Sequence, residues 1–353
     1  MLLLFGAIFF IYCLIFIVFH KKKEATASLE ELKISVIIAA KNEQNNIKAL
    51  IDSLSKQNYS KENYEVVIID DHSTDSTSEI ANKLARNEIN LRTVKATEKK
   101  YLGKRGALQL GIEKSEFEYI LITDGDCIVG NSFLKSFSNK FTENYDFVFG
   151  VAPYTQSKSI LNKVSCFDNL WVHILTFSFA NMGLPYSAAA RSFGFNKKAF
   201  LKIKGFENTL DTLSGDDDLL LREAIKRKLR IGNINDKDSY VFTKPQESFK
   251  KFINQKSRHT STSNYYLLKT KLTLGLWHLL NILILFSIFL INIFSNFLYL
   301  LIFKFVMDII LIKITMKNFS YKFNILEIIP LQIVYELSLI VFFIKGIFSK
   351  NKW

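Results

Sequence analysis

At 353 residues, 49% of them hydrophobic, and with a formal net charge of +13, the chain is more apolar than an ordinary soluble domain and also strongly basic. Cys13, Cys127 and Cys166 are too few and too scattered for a disulfide frame or a thiolate metal site, and they fit a reducing compartment. No zinc-finger spacing and no aromatic-basic RNA motif is present, so the positive charge is assigned to lysines beside anionic lipid rather than to nucleic-acid binding.

The first apolar run, residues 2–19, carries no charge and is about long enough to cross a hydrocarbon core of roughly 30 Å. His20, Lys21, Lys22 and Lys23 follow it, which predicts an outward N-terminus and a cytosolic next segment. "ATAS" at 25–28 offers a small-residue cleavage site, but a signal peptide carries its positive charge before the apolar run, so the run is read as an anchor. "KISVIIAA" at 33–40 and "YEVVIIDD" at 64–71 are short, β-branched and continuous, as buried strands are. Between them Ile47, Leu50, Ile51 and Leu54 fall at helical spacing, and "STDSTSEIANKLARN" is a helix opened by capping residues. "LRTVKAT", "KRGALQLGIEKS" and "FEYILITDGD" continue the rhythm as strand, helix and strand. Such alternation predicts a doubly wound α/β sheet with parallel pairing, whose ligands bind at the carboxyl ends of the strands.

Residues 272–311 are apolar enough for two helices turning near Ser295 and Asn296, with Lys304 and Asp308 one turn apart and able to pair. A further block, 325–348, contains Glu327, Pro330, Gln332 and Glu336, and either spans the membrane or lies along it. Two or three C-terminal spans are expected, three being preferred. The predicted organisation is an anchor at 1–20, an α/β domain at 33–245, an amphipathic interfacial segment at 246–270 and transmembrane helices at 271–348.

Asp70 and Asp71 close the second strand, and Asp124 and Asp126 close the fourth, so the sheet order predicts that all of them project into one crevice. A carboxylate set without histidine suits an oxygen-loving divalent ion, Mg²⁺ or Mn²⁺, bridging protein to substrate phosphates. The plain alternative for "DGD" is a polar turn. No Gly-x-x-x-x-Gly-Lys-Ser/Thr loop is present to hold phosphates instead.

These segments, "SVIIAAKNEQNNI", "VVIIDDHSTDST", "GKRGALQLGI", "ILITDGDCIV" and "SGDDDLLLREAIKRK", resemble in order the motifs of membrane-anchored family 2 glycosyltransferases of GT-A fold. The resemblance implies a nucleotide-sugar donor, UDP by family expectation, contacted by Ala39, Glu43, Asp70, Asp71 and Lys104, with Arg105 adding charge near the diphosphate. It implies that Asp126, helped by Asp124, holds the metal ion. It places Asp216 as general base of an inverting displacement. Gly215 stands where the family has Glu, which leaves that role open between Asp216 and Asp217. The alternative for "GDDD" is an acidic first helical turn. "NQKSRHTSTS" resembles the Gln-x-x-Arg-Trp motif of membrane synthases, with His259 in place of Trp, and implies that Gln255 and Arg258 face the donor. The alternative is an interfacial helix presenting Lys250, Lys251, Lys256 and Arg258 to lipid phosphates. Trp171 and His173 either line the acceptor side or pack against the first span. The expected acceptor is lipid-linked or a glycan, and the expected location is the cell membrane, multi-pass, with the catalytic domain cytoplasmic.

Two rivals differ in kind. A phosphatase with a nucleophilic Asp-x-Asp needs the motif on its first strand with Thr or Val two places on, whereas here it ends the fourth strand and Ile128 holds that place. A non-catalytic membrane scaffold or transporter subunit with a degenerate transferase domain draws support from Gly215 and His259.

Overall fold

The computed structural model describes residues 2–20, 31–85, 89–212, 214–291 and 295–348. The lysines at 21–23 and the small residues at 25–28 lie outside the described residues. The chain divides into two compact units. One comprises Glu24–Thr155 and Ser187–Lys244, and the other Met1–Lys23, Gln156–Tyr186 and Pro245–Lys350.

The first unit is α/β. Its strands are β1 (Ile34–Ala40), β2 (Tyr64–Asp70), β3 (Leu91–Lys95), β4 (Tyr119–Asp124), β5 (Ile128–Val129), β6 (Phe147–Gly150), β7 (Phe193–Asn196), β8 (Ile231–Ile234) and β9 (Val241–Phe242). Seven form one sheet in the order β3-β2-β1-β4-β7-β6-β8, and β5 pairs with β9 in a separate ribbon. β1, β2, β3 and β4 pair in parallel, as the alternating pattern predicts. β7 runs antiparallel to both β4 and β6, so the sheet is mixed. All of β2 is buried, because a parallel strand has helices on both faces and its side chains meet no water on either. The helix Ile47–Ser55 buries Ile47, Leu50, Ile51 and Leu54, the residues whose spacing predicts it. Register aligns the strand ends: Ala39 pairs with Asp124 and Ala40 with Asp70.

The second unit is helical. Its helices include Leu2–His20, Ile160–Asn181, Phe249–Thr262, Leu268–Phe286, Asn296–Thr315 and Ile325–Phe348. Among the described residues, Leu268–Leu290 and Ile325–Phe348 are long and apolar enough to cross a membrane. Asn296–Thr315 carries Lys304, Asp308 and Lys313. As their spacing predicts, Lys304 and Asp308 pair, Nζ to Oδ2 at 2.5 Å. Lys304 also donates to Glu336 Oε1 at 3.3 Å, and Tyr12 donates its hydroxyl to Asp308 Oδ1 at 2.5 Å. Trp171 Nε1 donates to Gln332 Oε1 at 2.8 Å, and Gln332 passes a hydrogen bond to Glu336 at 2.9 Å. Trp171 stacks on Tyr335, with ring centroids 5.7 Å apart, and His173 lies 5.2 Å from the ring of Phe319. Both are buried core residues of the helical unit rather than an exposed acceptor lining.

Candidate active site

The site is built where the parallel strands stop. Asp71 follows β2, and its backbone N–H is held by the Ala40 carbonyl at 2.8 Å. Its Oδ1 accepts from Lys99 Nζ at 2.5 Å and lies 3.1 Å from His72 Nδ1. Burial opposes the charge on Asp71, but the hydrogen bonds from Lys99 and His72 and the charges of Lys99 and Lys41 outweigh it, so the carboxyl titrates below its usual range. Asp70 faces its own turn, where Oδ1 accepts from the Ser73 amide at 3.0 Å.

The loop after β1 is laced to the loop after β2. Asn42 accepts from the Thr74 amide at 2.9 Å, and the Glu43 amide donates to Thr77 Oγ1 at 2.7 Å. These bonds set Glu43 against the Asp-Gly-Asp turn. A Cβ on Gly125 would come within 2.9 Å of Glu43 Cγ, so any larger residue between the two aspartates has to push the Glu43 side chain aside. Burial raises the Glu43 carboxyl above its ordinary value; Asn46 opposes this, and Asp126, Asp124 and Asp75 add to the rise.

Asp124 is ion-paired with Lys104 at the start of the helix Gly103–Lys114. Burial would raise the Asp124 carboxyl, but Lys104 and then Arg191 hold it below the usual range. Asp126 is exposed, and its Oδ2 accepts from Thr243 Oγ1 at 2.8 Å. Cys127, set aside on sequence grounds as one of too few thiols, comes to the same place: one ligand atom each from Asp124, Asp126 and Cys127 lie within 4.8 Å of one another. Its adjacency to the acidic turn was the available signal. Burial and the two aspartates push its thiol well above its usual titration, and a hard ion prefers the carboxylate oxygens beside it. The remaining donors are carboxylate oxygens, and that donor set fits a hard ion such as Mg²⁺ or Mn²⁺.

The next basic residue turns the other way. Arg105 is buried and directs Nε and Nη2 to Asp216 Oδ1 at 2.7 and 2.6 Å, while Nη2 also donates to the Thr212 carbonyl at 2.9 Å. Lys104 and Arg105 are therefore neither a solvated helix start nor uncommitted charges: one binds Asp124, the other Asp216. Asp216–Asp218 open the helix Asp216–Lys226, and Gly215 caps it at φ +72°. A glutamate there would be strained in the left-handed region, which accounts for Gly215. Asp218 Oδ1 accepts from the Ala188 amide at 3.2 Å. Asp217 is raised well above the ordinary carboxylate range, first by burial and then by Asp218 and Asp216, with Lys104 opposing.

Arg191, in the short turn Ala190–Ser192 ahead of β7, was not singled out by its sequence. Burial works against its charge, yet Tyr154, Cys127, Asp124 and Asp126 more than offset that and hold it protonated.

Gln255 and Arg258 lie on the helix Phe249–Thr262 in the helical unit. Lys256, expected on a lipid-facing side, is buried and ion-paired with Asp168, because that face of the helix packs against its own unit. Lys250 and Lys251 are exposed.

The glycosyl transferase family 2 model matches residues 35–196, and the glycosyl transferase family group 2 model matches residues 119–321. Poly(ribitol-phosphate) beta-N-acetylglucosaminyltransferase TarS of Staphylococcus aureus is 26% identical over 244 residues, 67% of this chain and 39% of that protein. Beta-monoglucosyldiacylglycerol synthase of a Nostoc species is 36% identical over 115 residues, 33% of this chain and 24% of that one. The chain thus spans 39% or less of the length of these two relatives. The solved mannosyltransferase PcManGT of Pyrobaculum calidifontis, in complex with GDP-Man and Mn²⁺, superposes with a TM-score of 0.65 at 15% identity. That superposition covers 98% of this chain and 96% of that one, and it shows a shared fold.

Proposed function

The chain belongs to glycosyl transferase family group 2 and is a glycosyltransferase, and we propose that it moves a sugar from a UDP donor, with inversion, to a lipid-linked or polysaccharide acceptor at the cytoplasmic face of a membrane. The observation that carries this reading is the pairing of Lys104 with Asp124 and of Arg105 with Asp216, which ties the strand-end carboxylates and the "GDDD" carboxylates to one helix start. The relatives' names support an acceptor of this class, one acting on a ribitol-phosphate polymer and the other making a glucosyldiacylglycerol. The helices Leu268–Leu290 and Ile325–Phe348, with the apolar run at 2–19, would supply the membrane segments.

In this mechanism Asp71 and Asp70 hold the nucleoside end of the donor, and Ala39, on the adjacent strand end, lies beneath it. Asp124 and Asp126 would hold a divalent ion, whose charge offsets that of the departing diphosphate. Asp217 takes the proton from an acceptor hydroxyl as that oxygen bonds to the anomeric carbon, and the bond to the diphosphate breaks with its electron pair leaving on the nucleotide. Asp217 suits the role better than Asp216. Asp216 is already held by two nitrogens of Arg105, whereas burial and like charges raise the proton affinity of Asp217. Gln255 and Arg258 are assigned to the donor side on motif resemblance.

The test is transfer from a panel of radiolabelled sugar nucleotides by membranes containing the protein. Asp126→Ala should abolish transfer while the protein still inserts, and EDTA should stop turnover with rescue by Mn²⁺ or Mg²⁺. Full activity in Asp126→Ala, or indifference to EDTA, would overturn the metal assignment.

A further inference from the structure

We infer that Arg191 is a diphosphate-binding residue, whose guanidinium edge takes a phosphate oxygen of the nucleotide donor beside the Asp124–Asp126 carboxylates. This rests on the transferase reading above and adds a residue to it. The placement follows from topology: β7 pairs antiparallel with β4, Phe193 opposite Ile122, so the turn Ala190–Ser192 that leads into β7 lies at the end of β4 that carries Asp124. The turn that carries Arg191 packs against β4.

The guanidinium is anchored rather than mobile. Nη2 donates to the Ala152 carbonyl, and Cζ lies 5.2 Å from the centre of the Tyr154 ring. It lies in the field of Asp124 and Asp126. The hydrogen bonds to those carboxylates come from elsewhere, to Asp124 from Lys104 and to Asp126 from Thr243 and the Cys127 thiol. Nε is buried and has no hydrogen-bond partner. A buried N–H of a charged group is costly to leave unsatisfied, so such a donor at the edge of a site points to an acceptor that arrives with a ligand. A planar guanidinium matches two oxygens of a phosphate, and this one sits beside the carboxylates that would hold the ion on that same diphosphate. A lysine would supply the charge without the fork.

The test separates nucleotide binding from metal binding in the full-length protein in detergent. Mn²⁺ alone is titrated by electron paramagnetic resonance, and UDP and GDP are titrated calorimetrically at saturating Mn²⁺. Arg191→Gln should weaken nucleoside diphosphate binding at least tenfold. It should leave Mn²⁺ affinity unchanged or tighten it a few-fold, since a positive charge beside the two aspartates is gone. Arg191→Lys should recover the wild-type Mn²⁺ affinity but not the whole of the nucleotide affinity, and it serves as the decisive variant if Arg191→Gln does not fold. Nucleotide affinity within twofold of wild type in either folded variant overturns the assignment. So does a parallel loss of Mn²⁺ and nucleotide affinity that lysine restores in full, which is the signature of a residue that only shapes the carboxylates. If the wild-type protein with Mn²⁺ binds neither nucleotide, the transferase reading itself falls, and this inference with it.

Discussion

The two units each combine a lysine with carboxylates and use them in opposite ways. In the helical unit the Lys304 and Asp308 side chains are 1% and 0% exposed, and Glu336, Gln332, Tyr12 and Trp171 close a network around them. In the α/β unit Lys104 and Asp124 are 23% and 31% exposed, and Asp126 beside them is open to solvent. A pair sealed from water on every side cannot exchange partners without a large desolvation cost, so it fixes the packing of helices. A pair at the open end of a sheet can give up its contact to an incoming ion or phosphate. Burial, not residue type, separates the structural ion pair from the exchangeable one.

The comparison breaks most visibly in the rate of transfer. Asp217→Asn should lower turnover by about 10²–10⁴-fold, the usual loss of a general base, in an assay of membranes with saturating donor. In the wild-type protein turnover should fall as pH drops through the raised titration of Asp217, and the residual rate of Asp217→Asn should lose that dependence. Normal turnover in the asparagine variant would return the base to Asp216.

Lys304→Met should leave Asp308 and Glu336 buried without their cation and destabilise the helical unit by about 3–5 kcal/mol, read from thermal unfolding in detergent. Replacing Lys304 and Asp308 together by apolar residues of similar size should recover most of that loss, because it also removes a buried charge. A shift of less than about 1 kcal/mol in the single variant would mean that this pair is not the structural one.

Stability of the α/β unit should move the other way in Asp217→Asn. The folded Asp217 keeps a proton to higher pH than the unfolded one, so wild-type stability falls as pH rises from the ordinary carboxylate range through the raised folded value. Asparagine removes that loss, and the variant should be more stable than wild type above the ordinary carboxylate range, read as a higher Tm that converges on the wild-type value as pH falls. The smallest expected effect is that of Gly125→Ala. The added methyl presses on the flexible end of Glu43, so stability should change by less than about 1 kcal/mol while Mn²⁺ affinity drops a few-fold.

Much of this was legible in the chain itself. Continuous β-branched runs ending in Asp70 and Asp124 could only be buried parallel strands with acids at their carboxyl ends. The pair of carboxylates at Asp124 and Asp126, one residue apart, marked a place for a cation. The i, i+4 spacing of Lys304 and Asp308 determined that they meet if the segment is helical. These inferences succeed because periodicity and local spacing act over a few residues.

What the sequence did not decide depends on groups far apart along it. Arg105 meets Asp216 across 111 positions, and that contact, rather than the run of three aspartates, distinguishes Asp216 from Asp217. Arg191 comes into the field of Asp124 only because β7 inserts antiparallel between β4 and β6, a crossover that no local pattern announces. Gln156–Tyr186 lies in sequence between strands of the sheet and yet clusters with the helical unit, burying Trp171 and His173 there. Residue type and spacing fixed which elements form and which groups carry charge. Which charges meet, and how much water reaches them, was decided by tertiary packing, because Coulomb attraction and desolvation depend on distances and burial that exist only once distant segments are brought together.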